Sequence, residues 1–412
     1  MKITILTQEY APEEISSAIL SQELSEDLVK RGHQVTCVTR APNYPLGQIF
    51  PGYRNRIYQE EMLRGVRVIR VWSFISNKKG FWYRILSFGS YSALAFLGGL
   101  LAGKPDLFVS YSPPLLLGVS AWLLSVLWRV PWLLRVEDLF PEAAVAAGIL
   151  QNRSAIRFFD KLANFLYRRA SHISLICDGF YRLLKARGIY EKKLSVTPVW
   201  ADPEIVLPAP KQNKFRKKFG LDHQFVVMYA GILGYTSALE DVAAAARILR
   251  DNDTVCFVII GEGIKKDWLI NYKEENELSN LILLPFQPRG DFPEMMAASD
   301  VGLVTLNDRM AQFSLPHKIF NIMSSERPIL AVAPEGSDLS NLVINANCGI
   351  VVPPQSPALL AETILEMQSD IREMQRLGHN GRMLLLSSYS RQKCISEHEK
   401  LFCLISKRKN HV

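Results

Sequence analysis

Ser314-Leu315-Pro316-His317-Lys318-Ile319-Phe320-Asn321 sets a proline-broken turn directly ahead of a short apolar run. Proline cannot continue a strand or sit inside a helix, so the chain turns at Leu315-Pro316. A helix over about Lys318–Ser325 then opens with free backbone N–H groups. Free amides beside a cation make an anion site, and phosphate is the usual guest. The same pattern also fits an ordinary strand-to-helix connection. A second candidate runs from Tyr229 to Glu240, a strand end followed by Gly231 and Gly234 and then a helix. Glycines there would let backbone amides approach a phosphate closely. A third glycine is lacking, so the dinucleotide fingerprint is incomplete and nicotinamide binding is not expected.

Two further segments follow strands of the second half. In Gly261-Glu262-Gly263-Ile264-Lys265-Lys266, Lys265 or Lys266 would neutralise a pyrophosphate, or both are surface cations, and Glu262 is a binding carboxylate or a solvated one. Pro285 and Phe286 would offer a nucleobase backbone groups and an aromatic face, or form a rigid loop. In the first half, Arg135-Val136-Glu137-Asp138-Leu139-Phe140-Pro141-Glu142 follows a buried strand. Asp138, with Glu137 second, would accept a proton from an acceptor hydroxyl. The competing reading has Asp138 and Glu142 cap the helix that Pro141 starts. Two more loops, Gln8–Ser17 and Ala41–Gly47, would shape an acceptor pocket with Glu13, Ser16, Asn43 and Tyr44.

The elements that must position these loops alternate. Short apolar strands near 3–6, 35–38, 66–71, 107–110, 132–136, 172–176 and 194–196 are separated by helical patterns. Leu20, Leu24 and Leu28 mark one helix, which Gly32 ends. The alternation restarts at Phe225, after the proline- and lysine-rich stretch 203–218. It predicts an α/β chain with two Rossmann-like, doubly wound parallel sheets facing a central cleft, since 412 residues exceed one common core. The expected domains are 1–205 and 206–385, with 386–412 a helix crossing back. Ligands of such sheets bind beyond the strand carboxyl ends, where the segments above lie.

Charge is uneven: residues 1–200 hold 25 Lys and Arg against 15 Asp and Glu, and the remainder 23 against 25. A basic first half suits an anionic membrane surface or lipid phosphate, and no nucleic-acid signature accompanies it. The six cysteines form no CxxC pair and no metal-ligand spacing with histidine, and Cys37, Cys256 and Cys348 read as core. The N-terminus enters a strand at once, without the apolar core of a signal peptide. Residues 85–103 carry no charge and approach a bilayer's thickness in helical length, but serine and glycine dilute them. With Trp72, Phe74, Phe81, Trp82 and Tyr83 beside Lys78, Lys79 and Arg84, they predict a monotopic surface at the bilayer interface, with buried crossover helices as the alternative and a span disfavoured.

Taken in order, Tyr10-Ala11-Pro12-Glu13, Arg31-Gly32-His33, Pro42-Asn43-Tyr44-Pro45, Ser112-Pro113-Pro114, Asp138-Leu139-Phe140-Pro141-Glu142, Trp200-Ala201-Asp202, Gly231-Ile232-Leu233-Gly234, Gly261-Glu262-Gly263 and Leu315-Pro316-His317-Lys318 resemble the family 4 retaining glycosyltransferases of GT-B fold. The likeness is to the branch that builds bacterial surface polysaccharides such as O-antigen. It implies a nucleotide sugar, usually a UDP-sugar, on the second domain, and a polyprenyl-linked glycan acceptor on the first. It also implies a peripheral enzyme at the cytoplasmic face of the membrane. Ile232 and Ser237 stand where many members carry an Arg and a Lys, Phe313 and Asn321 where they carry an acid pair, and Ile15-Ser16-Ser17 replace glycines. The diphosphate is therefore expected to meet Lys318, Lys265 or Lys266 and the amides at 315–318, without a metal or other cofactor. A nucleotide-sugar 2-epimerase and a non-catalytic, nucleotide-sugar-binding subunit are the alternatives.

Overall fold

The computed structural model describes residues 1–78, 80–310 and 314–407; Lys79 and Phe313 fall outside it, as does the side chain of Phe81. Two compact units emerge: Met1–Val199 with the segment from Cys394 onward, and Trp200–Lys393. The divisions thus fall at 199 and 393 rather than at 205 and 385.

The first unit is an eight-stranded sheet: β1 (Lys2–Leu6), β2 (Gln34–Arg40), β3 (Tyr58–Leu63), β4 (Val66–Val71), β5 (Leu107–Ser112), β6 (Trp132–Val136), β7 (His172–Leu175) and β8 (Leu194–Val196). Their order is β3-β4-β2-β1-β5-β6-β7-β8. All pairs are parallel except β3–β4. Every residue of β5 and β6 is buried, as expected of parallel strands covered on both faces. β3 is absent from the sequence prediction. It alternates exposed and half-buried residues, and its Tyr-Gln-Glu-Glu stretch lacks the apolar run of the core strands. A two-residue turn, Arg64-Gly65, with both φ positive joins it to β4.

Helix α1 (Ser16–Lys30) buries Leu20, Leu24 and Leu28. Gly32 ends it in the left-handed region, its N–H donating to the Val29 carbonyl and that of His33 to Leu28. Helix α2 (Phe81–Ala102) crosses from β4 to β5, and α3 (Leu117–Trp128) from β5 to β6. By length and composition alone α2 could cross a membrane. Yet it links two strands of one sheet, and its glycines are packed: a Cβ on Gly98 would lie 2.7 Å from Val38, and one on Gly99 2.3 Å from Leu124. A bilayer-spanning α2 would require breaking the sheet that holds both β4 and β5.

The second unit is a six-stranded parallel sheet: β9 (Phe225–Ala230), β10 (Val255–Ile260), β11 (Leu281–Leu284), β12 (Val301–Thr305), β13 (Ile329–Val332) and β14 (Gly349–Val352), in the order β11-β10-β9-β12-β13-β14. Both sheets reverse their winding once. The reversal falls between β1 and β5 in the first unit and between β9 and β12 in the second. The carboxyl ends flanking such a switch point leave a crevice that no connection fills.

Candidate active site

The second unit's switch point carries the strongest chemistry. Tyr229, near the end of β9, has its hydroxyl bonded to the Ile232 carbonyl and the Ser237 hydroxyl. Lys318 opens the short helix Lys318–Ser324 after β12. Its Nζ stands 3.4 Å from the centre of the Tyr229 ring, held there by a cation–π contact. Lys318 has no carboxylate and no hydrogen-bond partner among the described residues. Burial without a counter-ion pulls its pKa down to about 7, so the amine is about half protonated at neutral pH and gains its full charge when an anion binds beside it. The N–H groups of Leu315, His317 and Lys318 also have no acceptor among the described residues, and His317 Nε2 meets the Trp200 carbonyl at 2.7 Å.

The glycine loops serve packing as much as any ligand. The N–H of Gly231 donates to Ile260, that of Leu233 to Glu262, and that of Lys265 to Leu233, stacking the loop after β9 on the loop after β10. A Cβ on Gly261 would lie 1.9 Å from the Gly231 carbonyl oxygen, and one on Gly263 2.3 Å from that of Leu233. Two of the amides expected to face phosphate are consumed in this way. A Cβ on Gly231 would lie 2.7 Å from Lys318 Nζ, so this glycine clears the lysine's path. Nothing requires glycine at 234, where a Cβ would meet only the Ile232 side chain at 3.6 Å.

Three expected donor contacts are otherwise engaged. Lys265 bonds the Ser237 carbonyl at 2.6 Å and pairs with Glu240 at 2.7 Å. Lys266 pairs with Glu262 at 2.7 Å, one helical turn apart. Each charge has thus found a nearer partner than a ligand. Pro285 and Phe286 are exposed on the loop after β11, two strands from β9. Asn307, unremarked in the sequence, ties the loop after β12 to the loop after β9 through the Tyr235 and Thr236 carbonyls.

In the first unit, Glu137 and Asp138 follow β6 and share the Ser112 carbonyl through their N–H groups, at 2.9 and 3.4 Å. Burial pushes both carboxyls up to about 7. Arg135, 4.0 Å from Glu137, opposes the rise in Glu137, while Glu137 adds to that of Asp138. Arg135 is itself held by Ser174 and Thr197 hydroxyls. The helix Glu142–Ala146 has no side-chain cap, so Asp138 is not a capping residue, and Glu142 is spent on Arg187. Glu9, at the β1 side of the switch point, raises the Glu137 pKa further and is a carboxylate that the sequence reading passed over. It accepts from the Ser17 hydroxyl at 3.0 Å and lies 3.6 Å from Arg40.

The expected acceptor contacts divide. Glu13 is 2% exposed and accepts the N–H groups of Asn43 at 2.8 Å, Tyr44 at 2.9 Å and Tyr10 at 3.3 Å. It clamps two loops together from a buried position, which makes it a support of the loops rather than an exposed sugar contact. Asn43 is buried with its amide on the Ala41 carbonyl, so it too is structural. Tyr44 is half-buried and Ser16 exposed, leaving both accessible.

Residues 19–200 match the model of the glycosyl transferase 4-like domain, and residues 211–383 that of the glycosyl transferases group 1. The probable glycosyltransferase WbjE of Pseudomonas aeruginosa is 28% identical over 70% of this chain and 72% of its own. The putative colanic acid biosynthesis glycosyl transferase WcaI of Escherichia coli K12 is 25% identical over 88% and 91%. The structure of Anabaena HepE in complex with UDP aligns with a TM-score of 0.72, covering 98% of this chain and 100% of the other at 16% identity. The chain belongs to the family 4 glycosyltransferases of GT-B fold.

Proposed function

We propose that this enzyme is a retaining glycosyltransferase that moves a sugar from a UDP-sugar to a membrane-linked glycan during surface polysaccharide assembly. The observation that carries the reading is Lys318, a buried lysine with no counter-ion among the described residues at the second unit's switch point. The nucleotide diphosphate of the donor supplies the missing anion. As the bond from the anomeric carbon to the phosphate oxygen breaks, charge develops on the leaving diphosphate, and Lys318 with the N–H groups of Leu315, His317 and Lys318 stabilises it. The acceptor hydroxyl oxygen forms the new glycosidic bond, and its proton passes to Asp138, or to Glu137. A carboxyl poised near 7 suits that transfer at neutral pH. Because Lys265, Lys266 and Glu262 are already paired, Lys318 carries most of the diphosphate recognition.

HepE in complex with UDP supports the choice of nucleotide, and the colanic acid role in WcaI's name supports a polysaccharide product. The basic first unit and the exposed aromatics Trp72 and Trp82 support a membrane-linked acceptor; the full chain should float with anionic vesicles, and failure to float would count against that acceptor. The Lys318→Ala variant should lose transfer with its fold intact by circular dichroism. Unchanged turnover would remove Lys318 from the mechanism. Thin-layer analysis of products separates transfer, which releases UDP, from epimerisation, which returns an altered sugar nucleotide.

A further inference from the structure

Helix α2 ends before the sheet face that it covers. At Gly98 it lies flat on the sheet, where a Cβ would stand 2.7 Å from Val38 and 2.9 Å from Val71. One turn later the helix stops at Ala102, and Gly103, in the left-handed region, bends the chain into Lys104-Pro105 and β5. Further along the same face, Thr4, Thr36 and Arg67 stand side by side on β1, β2 and β4. Between this row and the end of α2 lies a cavity of about 430 Å³, within the range of small-molecule sites. It sits at the amino ends of the strands, opposite the end that carries Glu9, Glu137 and Asp138.

Thr4 is 2% exposed, and neither its hydroxyl nor that of Thr36 has a hydrogen-bond partner among the described residues. A buried hydroxyl that forgoes its bonds to water is costly unless a partner replaces them. Of the cations around the cavity, Arg67 is held by Glu60 at 2.8 and 3.0 Å and by the Ala102 carbonyl at 3.2 Å, and His33 by Glu399 at 2.8 Å. Lys2 and Lys104 remain, exposed at its mouth, with no carboxylate against either ammonium among the described residues. Asp106, the acid next to this turn in the chain, takes the Lys2 N–H at 2.7 Å. Two ammonium groups at the mouth suit a phosphate, and two hydroxyls deeper in, each able to donate and accept, suit the hydroxyls of a sugar. We propose that this cavity binds a small sugar phosphate, its phosphate on Lys2 and Lys104 and its hydroxylated body against Thr4 and Thr36. The inference rests on the first unit alone and is independent of the donor reading.

The test is calorimetry of the full chain with glucose 6-phosphate, and with glucose and inorganic phosphate in parallel. Glucose 6-phosphate should bind with a Kd of about 1 mM or tighter, and glucose and phosphate each about tenfold more weakly. The K2Q/K104Q and T4V/T36V variants should each weaken glucose 6-phosphate binding about tenfold, while Lys318→Ala should leave it unchanged. Valine keeps the shape of threonine without the hydroxyl, so the Tm of T4V/T36V should hold or rise. K2Q/K104Q, at exposed positions, carries the test if T4V/T36V folds poorly. No heat from glucose 6-phosphate up to about 20 mM overturns the proposal. So does affinity lost in Lys318→Ala but kept in K2Q/K104Q, which would move the ligand to the donor end. A lower Tm of T4V/T36V with unchanged affinity would assign the hydroxyls to the fold and overturn it equally.

Discussion

Lys318→Ala removes the lysine that has no counter-ion among the described residues at the donor switch point, and the structure sets the size and pH dependence of the loss. A charge-assisted hydrogen bond to a diphosphate contributes about 1.5–3 kcal/mol, so UDP affinity should fall roughly 10- to 150-fold. Burial holds the free Lys318 pKa near 7, well below that of a solvated lysine. A bound diphosphate favours the ammonium, so binding above pH 7 takes up a proton. Wild-type affinity should therefore drop about tenfold per pH unit from 7.5 to 9. That window lies above the phosphate's own titration, near pH 6. Calorimetry of UDP binding in buffers of different ionisation enthalpy reads both affinity and proton uptake. Lys318→Ala should bind weakly with no slope. Lys318→Arg, always charged, should also lose the slope. The same depression predicts that the ligand-free enzyme is destabilised by its own lysine: the unfolded chain binds that proton up to about pH 10, so stability rises with pH between 7 and 10. Lys318→Met should raise Tm at pH 7. Equal affinity and equal slope in wild type and Lys318→Ala would refute the assignment.

Gly261→Ala should destabilise the second unit by about 3 kcal/mol or more, because its methyl meets a backbone carbonyl that cannot turn aside, while Gly234→Ala should leave Tm nearly unchanged. Asp138→Asn should lower kcat by about 10²- to 10⁴-fold. The wild-type rate should fall as pH drops through about 7, where the carboxyl protonates; a flat profile from pH 5 to 8 would exclude it as the base. Glu13→Ala strands three buried N–H groups and should cost at least ~1–3 kcal/mol in urea unfolding. It should also raise the acceptor KM more than the donor KM.

The fourteen strands illustrate what is legible in one dimension. Thirteen pair in parallel and read as apolar runs: most are buried on both faces, which admits little else, and the edge strands β8, β11 and β14 are only partly buried yet remain mostly aliphatic. β3 escaped because an edge strand half in water tolerates glutamates that resemble loop. Lys318, Asp138 and Glu137 were legible as candidates because each lies beyond the carboxyl end of a buried strand, the side on which doubly wound sheets bind ligands.

Sequence alone determined the alternation of strand and helix, the restart near Phe225 and the loops where chemistry could occur, since these follow from local periodicity and composition. Tertiary structure alone decided which charges are available. Lys265 and Lys266 lie one position apart in the chain and each found a carboxylate, whereas Lys318 found an aromatic ring. Glu13 met three amides, from its own loop and from one thirty residues away. Pairing depends on distances of a few ångströms between segments remote in sequence, and no one-dimensional pattern encodes those distances.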